Sequence, residues 1–184
     1  SSLLEQVRRN DPAGWAGLVD LFAPTVYRWA RRAGVADADA ADVVQDVFLD
    51  VARSVGRFRR DRPGDTFAGW LRTITRRRAV DFLRRNPGPG AVGGTDAVKR
   101  MAEVPAAADD GERDDGATAG LVRRGLHLIR GEFEERTWKA FEGTAVDGRP
   151  AADVAAALGL SVGAVYVARS RVTRRLREAL DGIV

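Results

Sequence analysis

Apolar residues recur every three to four positions along most of the chain, which is the spacing of one face of a helix. No stretch of alternating β-branched residues is long enough to predict a sheet. The pattern predicts helices over residues 3–9, 13–32, 39–55, 66–85, 118–134, 135–144, 151–158 and 162–180. The fold class is therefore predicted to be all-α.

Residues 86–117 interrupt this pattern. They are rich in Pro, Gly, Ala and Asp without a sustained apolar period, which is typical of a flexible linker. Three basic and seven acidic residues give the segment a net charge of −4. A chain of 184 residues is long enough for two small cores. The sequence therefore predicts two small helical domains, 1–85 and 118–184, joined by a flexible acidic linker.

Residue types that serve enzyme and metal chemistry are scarce. The chain has no Cys, and His127 is its single His, which disfavours a disulfide framework, a zinc centre or a Ser-His-Asp relay. We therefore expect no enzyme activity, no metal and no cofactor. No apolar run approaches the roughly 20 residues that span a bilayer, so a cytoplasmic protein without membrane insertion is expected. The absence of an initial Met indicates a trimmed start or a fragment.

The predicted helix 39–55 has an acidic face that carries one leucine. Asp42, Asp46 and Asp50 are spaced i, i+4, i+8, and Leu49 lies among them beside Gln45. The opposite, apolar side consists of Val43, Val44, Val47, Phe48 and Val51. A solvated face with one exposed Leu is the ordinary interpretation. An apolar anchor inside a polar rim is also typical of a protein interface.

The segment 53–85 is the main basic block, with eleven Arg and three Asp and a net charge of +8. In the predicted helix 66–85, Thr66 can cap the first turn, and Arg78 is predicted to pair with Asp81 near the apolar seam. The buried stripe is predicted to be Phe67, Trp70, Leu71, Ile74 and Phe82. The opposite arc consists of Arg72, Arg76, Arg77 and Arg84.

The loop before this helix combines four arginines with Phe58, namely Arg57, Arg59, Arg60 and Arg62. A basic loop with an aromatic residue can bind single-stranded nucleic acid through phosphate contacts and base stacking. For Phe58 itself, a core position that closes the loop is the favoured interpretation.

Residues 151–180 have the pattern of a helix-turn-helix, with a short Ala-rich helix, a turn at 159–161 and a longer helix capped by Ser161. Ala155 and Gly159 are small where the two helices cross. The predicted core of the motif includes Val154, Leu158, Val162 and Val165. The predicted outward face consists of Gly163, Val167, Ser170, Arg171 and Arg174, and its two Arg are best placed for base edges or phosphates. A helical hairpin with a solvated basic face is the alternative.

Together, these blocks resemble the bacterial sigma factors of the extracytoplasmic-function group in the sigma-70 family. DADAADVVQDVFLDVARSVGRF with FAGWLRTITRRRAVDFLRR resembles region 2 of that family. GRPAADVAAALGLSVGAVYVARSRVTRRLREAL resembles region 4 and, with ERTWKAF, a subgroup whose recognition helix lacks the usual Lys/Arg-rich form. Family members commonly carry a basic residue where this chain has Tyr166 and Ala168. No additional C-terminal domain is expected after Val184.

The resemblance implies specific partners. It implies that Asp42, Gln45, Asp46, Leu49 and Asp50 dock on the β′ clamp helices of core RNA polymerase. It implies that the minus-ten promoter element is opened and held by Arg57, Arg59, Arg60, Arg76, Arg77 and Arg84. It implies that the minus-thirty-five duplex is read by Ser161, Gly163, Val167, Ser170, Arg171 and Arg174. The resemblance also implies a contact with the β flap, a linker inside the polymerase cleft and an anti-sigma factor. It implies no catalytic residue.

Two other classes of protein remain as alternatives. A stand-alone regulator would bind operator DNA as a dimer through the helix-turn-helix, but it has no need of a second basic surface at 53–85. An adaptor that binds only proteins through the acidic helix would need neither basic surface.

Overall fold

The computed structural model describes residues 2–87 and 115–183, and every regular element in those two ranges is a helix. The all-α prediction is confirmed. Contacts divide the chain into two compact units, which are described separately. The first unit comprises Leu4–Leu121 and Gly182–Val184, and the second comprises Ser1–Leu3 and Val122–Asp181. The predicted linker, 86–117, lies outside the described residues except at its two ends.

The first unit is built mainly from three long helices. Its elements are α1 (Leu3–Arg8), α2 (Pro12–Arg32), α3 (Asp37–Ser54), a 3₁₀ turn (Val55–Arg57) and α4 (Phe67–Arg85). The ends of the four helices lie within two residues of the ends predicted from the spacing of apolar residues.

Short-range capping bonds begin two of these helices. The Asp11 carboxylate accepts a hydrogen bond from the Ala13 N–H at 2.9 Å, and Pro12 occupies the first turn, where no N–H is needed. The Thr66 hydroxyl oxygen accepts from the Gly69 N–H at 3.1 Å, which confirms the predicted cap of α4.

The apolar faces of α2, α3 and α4 share one core. Its fully buried side chains include Leu18, Leu21, Phe22, Val26, Val43, Val47, Val51, Phe67 and Leu71. The rings of Phe22 and Phe67 lie 5.5 Å apart between centroids and are tilted by 59°, an arrangement that aromatic pairs prefer. Burial of these stripes leaves the acidic side of α3 and the Arg-rich side of α4 at the surface of the unit.

Among the described residues, the second unit contains four helices. They are the part of α5 (Asp115–Ile129) from Val122 onward, α6 (Glu135–Phe141), α7 (Ala151–Leu158) and α8 (Val162–Ala179). A 3₁₀ turn lies at Arg130–Glu132 and a π turn at Glu142–Val146. The predicted single helix over 118–134 is wrong at its end. Gly131 weakens the helix there, and Phe133 is extended at φ −119° and ψ 144°, so the chain turns into α6.

Two apolar clusters hold the second unit together. One consists of Ile129, Trp138, Phe141, Val172 and Ala179. The other, beneath the crossing of α7 and α8, consists of Ala140, Val154, Ala155, Val165 and Ala168. Because α8 contributes to both clusters, its orientation is fixed along most of its length.

Within the described ranges, no single helix is long and apolar enough to cross a membrane. The bent pair of α7 and α8 meets that criterion jointly, by length and composition alone.

Candidate functional site

The polar side of α3 presents a leucine to solvent. Leu49 is 54% exposed, as predicted, while Val43, Val47 and Val51 on the other side of the helix are buried. Beside the leucine, Asp42 and Gln45 are exposed and Asp46 is half-buried. We call this surface the acidic docking face and define it by Asp42, Gln45, Asp46, Leu49 and Asp50. It offers one apolar anchor inside an anionic rim.

Asp50 forms one edge of the acidic docking face and is also tied to α4. Both of its carboxylate oxygens accept hydrogen bonds from the Arg78 guanidinium, one from Nε and one from a terminal nitrogen. These side chains are 23% and 27% exposed. The hydrogen bonds from Arg78 lower the pKa of the Asp50 carboxyl below its ordinary value, and the same bonds raise the pKa of Arg78.

The predicted pairing of Arg78 with Asp81 is therefore wrong. Asp81 is one turn away on the same helix, whereas Asp50 lies across the packed interface of α3 and α4, where it meets the planar guanidinium with two oxygens at once. Asp81 acts on Arg78 only through its charge.

The loop after α3 exposes its arginines and buries its aromatic ring. Arg57, Arg59 and Arg60 are exposed, and the Arg59 guanidinium donates to the Gly56 carbonyl at 2.7 Å. Phe58 is only 5% exposed, as the favoured interpretation required.

Phe58 is held inside an aromatic cluster. Its ring meets Phe67 edge-on at 5.7 Å and lies 5.2 Å from Trp70. The Arg8 guanidinium lies 6.0 Å from the Phe58 ring centre and donates to the Phe58 carbonyl at 2.8 Å. The ring is therefore a structural anchor for the loop and is not presented to a nucleic-acid base.

The remaining predicted minus-ten cations lie on α4. Arg77 and Arg84 are exposed, and Arg76 is half-buried. Together with the loop arginines they form the basic surface of the first unit, defined by Arg57, Arg59, Arg60, Arg76, Arg77 and Arg84. A surface of this charge attracts phosphates irrespective of sequence.

In the second unit, α7 and α8 meet at a bend of 103°, the geometry of a helix-turn-helix. Gly159 ends α7 in the left-handed conformation at φ 61° and ψ 43°, which glycine adopts without strain. The Ser161 hydroxyl oxygen accepts from the Ala164 N–H at 3.1 Å and so caps α8, as predicted.

The turn between α7 and α8 is fastened by a residue that the sequence did not single out. The Arg136 guanidinium donates to the Leu158 carbonyl at 2.6 and 3.0 Å and to the Gly159 carbonyl at 2.6 Å. These carbonyls have no partner within α7 because the helix ends there. Arg136 is a positioning residue, since it fixes the angle from which α8 leaves the turn.

The outer side of α8 contains the predicted reading residues and one more. Gly163, Val167, Ser170, Arg171 and Arg174 are all exposed. The additional residue is Tyr166, which is 57% exposed.

The burial of two positions on α8 decides which side of the helix each of them belongs to. Val162, predicted to be core, is 42% exposed at the first position of the helix. Ala168 is 6% exposed and lies in the cluster with Val154 and Val165. Of the two positions where the family commonly has a basic residue, only Tyr166 therefore faces outward.

The basic side chains of α8 differ in their surroundings. Arg175 makes a two-pronged ion pair with Glu132, at 2.6 and 2.7 Å, and so serves the packing of the unit. Arg174 lies 3.8 Å from Glu178, and both are more than half exposed. Arg171 is exposed on the same side. Arg171 and Arg174 are therefore more accessible than Arg175.

No group of three or more His, Cys, Asp or Glu side chains in the described part of the chain is arranged to hold a metal ion.

Comparison with known proteins gives consistent matches. The family model for Sigma-70 region 2 matches residues 18–87, which contain the acidic docking face and the basic surface. The chain is 31% identical over 177 residues to RNA polymerase sigma factor CarQ of Myxococcus xanthus, covering 96% of this chain and 95% of CarQ. It is 27% identical over 182 residues to RNA polymerase sigma factor CnrH of Cupriavidus metallidurans, covering 97% and 93%.

A third relative is longer than this chain. The ECF RNA polymerase sigma factor SigE of Mycolicibacterium smegmatis is 30% identical over 169 residues, which are 91% of this chain but 60% of SigE.

Proposed function

Because this chain belongs to the extracytoplasmic-function group of sigma-70 family sigma factors, which direct RNA polymerase to promoters and start DNA-templated transcription, we propose a division of that work between two domains. The domain 1–85 binds core polymerase and the minus-ten element. The domain 118–184 reads the minus-thirty-five element. The observation that carries the proposal is the exposed Leu49 inside its acidic rim, in the same unit as the basic surface.

The acidic docking face binds the β′ clamp helices. Leu49 supplies the apolar anchor, and Asp42, Gln45 and Asp46 supply the polar rim that faces cationic residues of the partner. Asp50 lies at the edge, where its bond to Arg78 keeps α3 and α4 in register behind the interface.

The basic surface holds the minus-ten element as single strand. Exposed Arg57, Arg77 and Arg84 neutralise phosphates, and the loop 57–65 receives the unstacked bases. Phe58 acts beneath this loop by fixing its path, since its ring is buried.

The outer side of α8 enters the major groove of the minus-thirty-five duplex. Ser161 and Gly163 let the start of the helix approach the DNA, while Val167 and Ser170 reach base edges. Arg171 and Arg174 bind base edges or phosphates farther along the groove.

We propose further partners on the analogy of the family. The second domain contacts the β flap, and the acidic linker 86–117 runs through the polymerase cleft, where its net charge of −4 imitates nucleic acid. An anti-sigma factor covers both domains when the protein is silent. With these partners the protein acts in the cytoplasm, and we assign it no catalytic activity of its own.

Run-off transcription from a promoter library tests this proposal. Core polymerase alone is compared with core plus the full chain, and specific starts are expected only after the chain is added. A stand-alone operator-binding regulator is not favoured, because relatives that match along the whole chain are sigma factors. It would instead shift duplex DNA without polymerase and give no specific starts.

A further inference from the structure

The first two turns of α8 are apolar on their exposed side. Val162, Tyr166 and Val167 are 42%, 57% and 56% exposed, and we call them the apolar tip. They are three of the seven large hydrophobic residues that are exposed in the described ranges. No charged residue occurs between Val162 and Ala168. This surface is therefore unlike a recognition helix that begins with Lys or Arg.

The apolar tip lies on the side of α8 that faces away from the protein. In a helical projection with 100° per residue, Gly163 and Ser170 lie along one line on the helix surface. Tyr166 and Val167 lie on either side of that line. The opposite line contains the buried residues Val165, Ala168 and Val172. At Gly163, a Cβ would meet only the Ser161 hydroxyl at 3.9 Å, so space remains in front of the first turn.

The charge of α8 indicates which partner this side fits. After the apolar tip come five arginines, Arg169, Arg171, Arg174, Arg175 and Arg177, against a single acidic residue, Glu178. An apolar tip followed by arginines fits a polyanion that has apolar groups in a groove and phosphates along the edges of that groove. Duplex DNA does so in its major groove, where the 5-methyl group of thymine is the one apolar group on the base edges.

We propose that Tyr166 and Val167 select thymine in the minus-thirty-five element through its 5-methyl group. This inference deepens the proposed function, because it assigns a base class to the reading helix. The apolar tip has no guanidinium, ammonium or amide with which to make the two-pronged hydrogen bonds that recognise guanine or adenine. Arg171 and Arg174, one to two turns later, bind phosphates or a neighbouring base pair.

Because Arg136 fixes the turn and two core clusters fix α8, the apolar tip is presented on a rigid support. A rigid support favours shape-specific contact with a methyl group, since little conformational entropy is lost on binding.

The test uses the full chain with core polymerase and a promoter whose upstream element is randomised. The selected element is expected to contain at least one fixed A·T pair. Each thymine in it is then replaced by deoxyuridine, which lacks only the 5-methyl group. At one or two positions, this replacement is expected to weaken holoenzyme binding about fourfold, the usual effect of one buried methyl group.

Variants identify the residue that makes the contact. Val167→Ala and Tyr166→Ala are each expected to remove the sensitivity to deoxyuridine at one position. Val146→Ala is the matched control, because Val146 is 60% exposed in the same unit but lies in the π turn outside α8. It is expected to keep the sensitivity of the unchanged chain.

The outcomes separate this inference from the proposed function. Specific starts with no deoxyuridine effect at any upstream position overturn thymine selection and leave the sigma activity standing. Thymine selection is overturned in the same way if Val167→Ala and Tyr166→Ala retain the full effect, and the apolar tip then belongs to a protein partner. Absence of specific starts overturns the proposed function and this inference with it.

Discussion

The Arg78 guanidinium on α4 donates to both carboxylate oxygens of Asp50 on α3, so an ion pair joins the acidic docking face to the helix that carries Arg76, Arg77 and Arg84 of the basic surface. The two surfaces are proposed to bind different partners at the same time. The position of one surface relative to the other therefore depends on the Asp50–Arg78 ion pair, which is formed within the chain and not with polymerase or DNA.

Removal of this pair is expected to weaken the first unit. Asp50→Asn leaves Arg78 with a poorer acceptor and should lower the free energy of unfolding by about 1 to 2 kcal/mol. Urea unfolding followed by circular dichroism measures the change. Asp42→Asn, on an exposed position of the same helix, is the control and should change stability by less than about 0.5 kcal/mol. Equal effects of both substitutions would contradict the assignment.

The contribution of Asp50 should also depend on pH in a defined direction. Because Arg78 lowers the pKa of Asp50 in the folded chain, the stabilisation is complete above the ordinary value of 3.8 and is lost as the pH falls through the lowered value. The stability gap between the unchanged chain and Asp50→Asn should therefore be constant from about pH 7 to about pH 5 and shrink only in stronger acid. Urea unfolding at several pH values measures this gap, and a gap that changes near neutrality would argue for a different partner.

Leu49→Arg is expected to abolish the docking of the first unit while leaving it folded. Loss of an interface anchor weakens binding by about 2 kcal/mol or more, which is roughly 30-fold. Fluorescence anisotropy of the labelled chain, titrated with core polymerase, measures the affinity. Val19→Arg is the control, because Val19 is 37% exposed on α2 in the same unit. The docking assignment fails if Leu49→Arg and Asp46→Arg both bind core as the unchanged chain does.

Arg171→Ala and Arg174→Ala should each weaken recognition of the minus-thirty-five duplex by about 1 to 3 kcal/mol if the side chain contacts a base edge. Holoenzyme binding is measured on the selected element and on a scrambled element, which distinguishes contacts with base edges from contacts with phosphates. Arg123→Ala, on the exposed side of α5, is the control and should leave the affinity for both DNAs unchanged. An equal loss on both DNAs would assign the two arginines to phosphates.

Gly159→Ala should destabilise the second unit. A side chain at φ 61° costs about 1 to 2 kcal/mol, and the added Cβ would lie 3.2 Å from the Arg136 guanidinium that fastens the turn. Thermal unfolding followed by circular dichroism measures the loss. Gly131→Ala is the control, because no atom lies within 4 Å of its added Cβ. A loss in Gly131→Ala as large as in Gly159→Ala would show that the left-handed turn is not the cause.

Features that depend on neighbours in sequence were predictable. The caps at Thr66 and Ser161 and the exposure of Leu49 follow from spacing along one helix, and the structure confirms all three. The favoured core position of Phe58 is also confirmed, because a single aromatic ring in a basic loop gains more by joining Phe67 and Trp70 than by remaining in water.

Features that depend on packing between helices were not predictable. The partner of Arg78 is 28 positions away, and helical spacing offered only Asp81. Val162 fits the apolar spacing of the helix, but it is the first residue of α8 and remains 42% exposed. Arg136 gave no signal, because its role depends on where α7 happens to end.

Tyr166 and Val167 belong to neither apolar cluster of the second unit. Substitution there leaves no cavity and breaks no internal bond, so the two positions can change identity without loss of the fold. Duplicated copies of such a gene can thus diverge in promoter preference by one residue at a time, each intermediate keeping the packing of the two clusters. Specificity and stability are encoded on opposite sides of one helix and are free to evolve separately.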